Sequence, residues 1–358
     1  MKKFIYCALV VILLVGLFSG CAKTPAPAPA PTPAPKPAPA PKPAPASEPV
    51  VLKMITFVPK GHPLTNSLPT WIDMVKEESK GELIIEYLGG PEVTHPFDQF
   101  PAMKKGVVDI GLVPTGYYVS EVCAGLSASL VRFDVVEERK NGFFEMQDNC
   151  HQNRNVKVLG RWMDNMPFHI FLVNKVEKPW DLAGLRLRGG GGIFNAMYNA
   201  LGAINVPIPP NEAYTALQRG VLDGAGFPMI GPAAFGWFEV IRYCIDHSLT
   251  ATKRSDCLLM LNSDSWNALP KHLQDALTEA TIKYEAPMGE YFIEQEKVHR
   301  QKAIDAGVTF IKFSPADAKW FTDTAYNAAW DNQKEEWEAT PEQDRCPVTW
   351  DELAIFKY

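Results

Sequence analysis

Residues 185–227 read "LRLRGGGGIFNAMYNALGAINVPIPPNEAYTALQRGVLDGAGF". Three short apolar segments, 185–188, 204–208 and 221–227, alternate with two stretches of helical pattern. The four glycines stop the first segment and open a helix over about 194–200. Pro210 or Asn211 starts the second helix and Gly220 stops it. Strand alternating with helix predicts parallel strands joined by crossover helices, with ligands gathered beyond the carboxyl ends of the strands.

The same grammar runs upstream. "VVLKMITFVP" at 50–59 has the β-branched richness of a strand, and Leu64, Leu68, Trp71, Ile72 and Val75 follow at helical spacing. "LIIEYL" at 83–88 and "VVDIGLV" at 107–113 read as strands flanking the short helix of "PFDQFPAMKKG", and the loop "PTGYY" at 114–118 leaves a carboxyl end. "FHIFLVN" at 168–174 is a further strand. From about residue 265 to 306 a helical pattern continues past Pro287, which predicts one helix spanning two lobes with a kink at the proline.

The first 21 residues, "MKKFIYCALVVILLVGLFSGC", hold two lysines, an apolar run and small residues before Cys21. The run is short for a membrane span of roughly 20 residues and reads as an export signal. "FSGC" is close to a lipobox, with Phe18 where leucine is usual, and predicts cleavage and acylation at Cys21. Residues 22–49 are a Pro/Ala-rich tether, extended at about 3.1 Å per residue. Roughly 300 residues remain, above the size at which a single core stops growing, so two lobes are expected.

Of the 358 residues, 46% are hydrophobic and 21% charged, with a net charge of −6. That balance marks a folded chain and argues against nucleic acid as a partner, because neutralising phosphates needs a basic surface. Cysteines 123, 150, 244, 257 and 346 follow the signal; an oxidising compartment favours pairing, and Cys123 with Cys150 or Cys244 with Cys257 are the nearest candidates. No CxxC, HExxH, GxSxG or GxxxxGK[ST] pattern is present, and the seven histidines show no metal-ligand spacing, so neither a cofactor nor a metal is expected.

Glycines before a helix offer N–H groups to an anion, but GGGG lacks the GxGxxG spacing and downstream acid of dinucleotide sites. Arg188 ends a strand that should be buried, where a guanidinium needs an anionic partner. Two partners satisfy that need: one of the chain's own acids, or the carboxylate of a ligand. Phe57, Tyr117, Trp162 and Phe227 fall near predicted strand ends as core or cleft-wall aromatics, and His169 is either a core histidine or a ligand donor.

"WDLAGLRLRG" followed by "ALGAINVPIPPNEAYTALQRGVLDG" resembles the signature of substrate-binding proteins of tripartite ATP-independent periplasmic (TRAP) transporters, the DctP-type family. "PAMKKGVVDIGLV" and "NSDSWNALPKHLQDALTEA" are similar to other family motifs, in family order from about residue 50 past 306. The resemblance implies an α/β, two-lobed periplasmic-binding-protein-like fold with two sheets, crossing strands and a long helix spanning both lobes. It implies domain I at 50–165 plus about 250–290 and domain II at 166–249 plus about 291–358. It also implies a receptor, not an enzyme, that closes on a small organic acid and delivers it to TRAP membrane subunits.

In this family the arginine of the corresponding strand clamps the substrate carboxylate, which is Arg188 here. The expected substrate contacts are Arg188, His169, Phe227, Tyr117, Trp162, Phe57 and Gly190, with Gly189–Gly192 as a side-chain-free turn that lets a ligand approach Arg188. "DGAGFP" departs from members that place Asn or an acid there, which argues against a sugar acid and a bound metal. Only His169 stands where many members carry a second arginine. A monocarboxylate with an apolar or aromatic body is therefore expected. The receptor is expected to be exported and anchored in the cell envelope through Cys21, facing the periplasm or extracytoplasmic space. Two rivals stay open: a ligand-sensing subunit of a signalling receptor, and a periplasmic enzyme of unrecognised type.

Overall fold

The computed structural model describes residues 48–357, apart from 123–124, 251, 253, 255 and 343–344. The signal, Cys21, the tether up to residue 47 and Cys123 lie outside the described residues. In chain order the strands are β1 (Val50–Thr56), β2 (Leu83–Gly89), β3 (Ile110–Pro114), β4 (Val156–Arg161), β5 (Phe168–Leu172), β6 (Arg186–Gly189), β7 (Ile204–Pro207), β8 (Gly224–Pro228), β9 (Tyr243–Ile245), β10 (Cys257–Asn262) and β11 (Thr309–Ile311). They form two sheets, ordered β2-β1-β3-β10-β4 and β11-β9-β5-β8-β6-β7.

The expected crossover units are parallel: β1 pairs with β2 and β3, and β6 with β7 and β8. The sheets as wholes are mixed, because β10 runs antiparallel to β3 and β4, and β5 antiparallel to β8 and β9. Both reversed strands are the ones by which the chain enters a sheet from the other lobe. A strand arriving from the cleft side must run against strands that end there, and no crossover helix turns it round.

The two lobes reuse one device. Gly106 and Gly220 end helices Gln99–Lys104 and Pro210–Gln218 with φ of 70° and 67°, a left-handed conformation open to glycine. Val107 N–H then bonds back to Ala102 O, and Val221 N–H to Ala216 O. Asp109 accepts the Lys53 N–H at 2.8 Å, and Asp223 the Arg186 N–H at 2.8 Å. Each aspartate ties the approach of β3 or β8 to its parallel neighbour, so those strands begin three residues later than their apolar runs suggest.

Helix Lys271–Asp305 has 35 residues, about 50 Å at 1.5 Å per residue. Pro287 lies inside it without ending it. The helix does not start at residue 265: Ser263–Ala268 is a separate helix, and Pro270, which forces Leu269 to be extended, divides the two. Its first half packs on lobe I, where Thr281 Oγ1 accepts from the Trp71 indole at 3.1 Å and Tyr284 bonds Ser67 at 2.8 Å. Its second half serves lobe II through Arg300–Asp246 at 2.7 Å. Gly160 permits the close approach of β4 to this helix, since a Cβ there would lie 2.5 Å from both Glu285 and Thr281 side-chain atoms. Among the described residues no helix is long and apolar enough to cross a membrane.

The chain crosses between lobes after Arg161 and again after Ile245, and a buried ion network holds both crossings. Glu138 bonds Arg161 at 2.6 Å and also pairs with Arg254, which pairs in turn with Asp164. Glu285 takes Arg139 and the Arg161 N–H. The expected disulfides are not formed: Cys150 is a free buried thiol near Met146, and Cys244 on β9 donates to Ile245 O within its own strand.

His151 is fully buried, with Nδ1 on Gln147 O at 2.6 Å and Nε2 on Tyr118 Oη at 3.0 Å. Burial lowers its pKa to about 4, and burial lowers that of His62 to about 3. In the unfolded chain both titrate near about 6.5, so between about 6.5 and 4 the unfolded state binds more protons. Stability is therefore full above that window and is lost as pH falls through it. Thermal denaturation should show Tm falling between pH 7 and pH 4.5, with a smaller fall in His151→Gln; an equal fall would exclude His151 as a contributor.

Candidate functional site

Arg188 is the next-to-last residue of β6, placed in register with Val206 of β7 and Ala225 of β8. Its side chain therefore reaches over the carboxyl ends of both neighbours. Nε donates to Ile208 O at 2.8 Å, Nη1 to Gly226 O at 3.0 Å and Nη2 to the Tyr117 hydroxyl at 3.0 Å. The guanidinium also faces the Phe227 ring at 5.6 Å. Only 2% of Arg188 is exposed, and no carboxylate of the described residues pairs with it. Arg186, two residues earlier, instead makes a two-pronged ion pair with Asp223 at 2.9 Å per prong.

Tyr117 belongs to the turn that follows β3 in lobe I, so its bond to Arg188 spans the lobes. Burial pushes the Tyr117 phenol up to about 12, keeping it neutral and able to accept from the guanidinium. Gly191 N–H adds a second cross-lobe bond, to Gly116 O at 2.9 Å.

Between these contacts lies a cavity of about 40 Å³. It is a narrow slot. Phe57, Tyr117, Phe168, Phe194 and Phe227 wall it, with Met163 and Met166 filling gaps. Phe168 and Phe194 meet at 4.6 Å between ring centres. Arg188, Gly190, Arg254 and Asp256 supply polar lining. Burial raises the Asp256 pKa, opposed by the Gly116 N–H at 2.9 Å and the Thr115 hydroxyl at 3.3 Å.

Arg188, Phe57, Tyr117, Phe227 and Gly190 thus converge on one cavity, and two expected residues do not. Trp162 stands one layer behind: its indole donates to Leu64 O at 3.1 Å and its ring stacks on Tyr284 at 4.5 Å. His169 is turned toward β9 and the long helix, with Nδ1 on Ile245 O at 3.2 Å and Nε2 3.7 Å from Glu296. It lines a separate polar cleft shared with Asp246 and His247.

The glycine run also differs from expectation. A Cβ on Gly189 would lie 2.4 Å from Asn205 Oδ1 and 2.8 Å from Tyr198, and one on Gly191 would lie 3.0 Å from Gly116 O. The side-chain-free space is filled largely by the chain's own groups, which lets the lobes close on each other. Gly226 is explained likewise, because a Cβ there would meet the Tyr198 hydroxyl at 2.1 Å. Among the described residues no group of three or more His, Cys, Asp or Glu side chains is placed to share a metal ion.

Sequence reasoning missed Arg254, Asp256, Phe168 and Phe194. The signal for the first two was "KRSD", a charged cluster directly before the apolar strand "CLLMLN". Charge next to a buried strand must be compensated or functional. Phe168 and Phe194 carried no signal beyond being apolar.

Residues 54–336 match the model of the bacterial extracellular solute-binding proteins, family 7. A solute-binding protein of Albidiferax ferrireducens is 26% identical over 270 residues, spanning 72% of this chain and 77% of its own. The TRAP periplasmic solute-binding protein of Desulfovibrio salexigens with bound orotic acid superposes with a TM-score of 0.72 at 17% identity, over 80% of this chain and 93% of its own. A marine metagenome TRAP solute-binding protein specific for aromatic acid ligands, in complex with 3-hydroxybenzoate, gives 0.72 at 21% identity, over 87% and 97%. Identities this low establish the shared two-lobed fold alone. The family match runs through both lobes and includes Arg188, and the chain accordingly belongs to family 7 of the bacterial extracellular solute-binding proteins, the solute receptors of TRAP transporters.

Proposed function

We propose that the protein binds a small monocarboxylic acid in the interlobe cavity, with Arg188 as the carboxylate clamp, and delivers it to TRAP membrane subunits. The observation that carries this reading is the charge state of Arg188: a guanidinium 2% exposed, with three neutral oxygens as its named partners. A buried cation without an anion is costly, and a ligand carboxylate arriving in the slot would supply that anion. Aromatic and methionine walls favour an apolar or aromatic body, and the narrowness of the slot favours a flat one. The aromatic-acid specificity of the marine metagenome relative is consistent with that class.

In this reading residues 50–165 with about 250–290 and 166–249 with about 291–358 move as two lobes about the crossings. Tyr117 is the lobe I group that meets the clamp when they close. The receptor acts outside the cytoplasm, held to the membrane by acylated Cys21. A proline-rich tether would raise its local concentration near the membrane subunits. No catalytic role is assigned to any cavity residue.

A thermal-shift screen of carboxylic acids should raise Tm for one class, since a ligand at 100 times its Kd stabilises the native state by about 2.7 kcal/mol. Arg188→Ala should weaken the responding acid by about 2–5 kcal/mol, roughly thirtyfold or more, in isothermal titration. Unchanged affinity in that variant would remove the clamp assignment.

Expressed with its signal, the wild-type protein should partition into the detergent phase and carry lipid on residue 21 by mass spectrometry. Cys21→Ser should move to the aqueous phase. Wild-type protein in the aqueous phase without lipid would exclude the anchor.

A further inference from the structure

The cavity carries charges of both signs, and the carboxylate clamp uses only the positive one. Asp256, 9% exposed, lines the same slot from the end of the second crossing, just before β10. Its Oδ2 takes the Gly116 N–H at 2.9 Å and the Thr115 hydroxyl at 3.3 Å. Its own backbone N–H is a further donor to the carboxylate. Arg254, two residues earlier and in the same lining, is committed to Glu138 and Asp164. Asp256 is therefore a carboxyl group lining the slot, which burial pushes toward the neutral form and the Arg161 guanidinium toward the charged one, and no ion pair within 4 Å joins it to a described residue.

Its surroundings leave it reachable. A Cβ on Gly116 would lie 3.3 Å from Asp256 Oδ2 and 3.7 Å from the Phe194 ring, so the absent side chain keeps the carboxylate beside the aromatic wall uncovered. Gly116 precedes Tyr117, whose hydroxyl meets Arg188. The positive and negative groups thus flank one short turn of a single lining.

Resting on the carboxylate reading of Arg188, we infer that Asp256 determines specificity: it accepts a hydrogen bond from an O–H or N–H on the ligand body and repels a second carboxylate. The ligand class is then a monocarboxylic acid bearing a hydroxyl, amino or ring N–H donor remote from its carboxylate. A buried acceptor left without a donor penalises analogues that lack one, which is how polar sites discriminate between near-isosteres. A second negative charge in the same low-dielectric slot is penalised by repulsion.

The test is isothermal titration of the whole protein with benzoate, 3-hydroxybenzoate, 3-aminobenzoate and isophthalate, rings that differ only at one meta position. On wild type the hydroxy and amino acids should bind at least about tenfold tighter than benzoate, and isophthalate at least about tenfold weaker. Asp256→Asn keeps an acceptor for the Gly116 N–H and removes the charge. It should shrink the preference for the hydroxy and amino acids over benzoate to within about twofold and bring isophthalate up by about tenfold or more. A flat order of the four acids on wild type overturns the inference without any variant. Uniform weakening of all four in Asp256→Asn overturns it too, since a structural role would act on every probe alike. Arg188→Ala separates the two levels: if it binds these acids as wild type does, the clamp reading itself fails, whereas loss of all four with a flat wild-type order removes only the role of Asp256.

Discussion

Glu138 is shared by two arginines, Arg161 at the end of β4 and Arg254 on the returning segment, and Arg254 reaches on to Asp164 of the outgoing one. Charges buried to this degree are tolerated only where each meets its opposite in good geometry, so this network holds both interlobe crossings in one arrangement. Much else depends on it. The strands that enter each sheet from a crossing run against their neighbours, and the parallel strands turn their carboxyl ends toward the space between the lobes. The cavity is where those ends meet.

Among the buried arginines of the described residues, Arg161, Arg188 and Arg254, Arg188 is the exception. Arg139, Arg161, Arg186 and Arg254 each have a carboxylate, whereas Arg188 is surrounded by two carbonyls, a phenol and the face of Phe227. Its position repeats that of Ile55 in lobe I, since both stand on the strand that is paired in parallel with the one after the Gly106 or Gly220 turn. An internal repeat of strand and turn thus places an apolar residue in one lobe and an uncompensated cation in the other. Tyr117 of the first lobe meets that cation, and with the Gly191 to Gly116 bond it joins the two lobes at the slot.

Much of this architecture was legible in the residues. The β-branched runs, the glycine stops and the aspartates of "GVVDIG" and "GVLDGAG" announce parallel units, because each signal acts within a few residues of itself. Arg188, Tyr117, Phe57, Phe227 and Gly190 were legible as cleft residues because loops at carboxyl strand ends have one place to go. Trp162 and His169 were misread because their distance from a strand end says nothing of the direction they face. Trp162 is consumed by Leu64 and Tyr284, and His169 by β9 and the long helix.

The sequence alone determined the alternation of strands and helices, the glycine stops between them, and the guanidinium that stands near the end of β6. Those properties are local, set by hydrophobic period, by the φ of glycine and proline, and by the charge of a guanidinium that never deprotonates. Tertiary structure decided which arginines are already neutralised, that Asp256 faces the same slot as Arg188, and that the glycine run admits the opposite lobe. Each of these depends on groups tens to more than a hundred residues apart in the chain, as with Gly116 and Asp256 or Glu138 and Arg254. Only the folded distance between such groups settles whether a charge is paired.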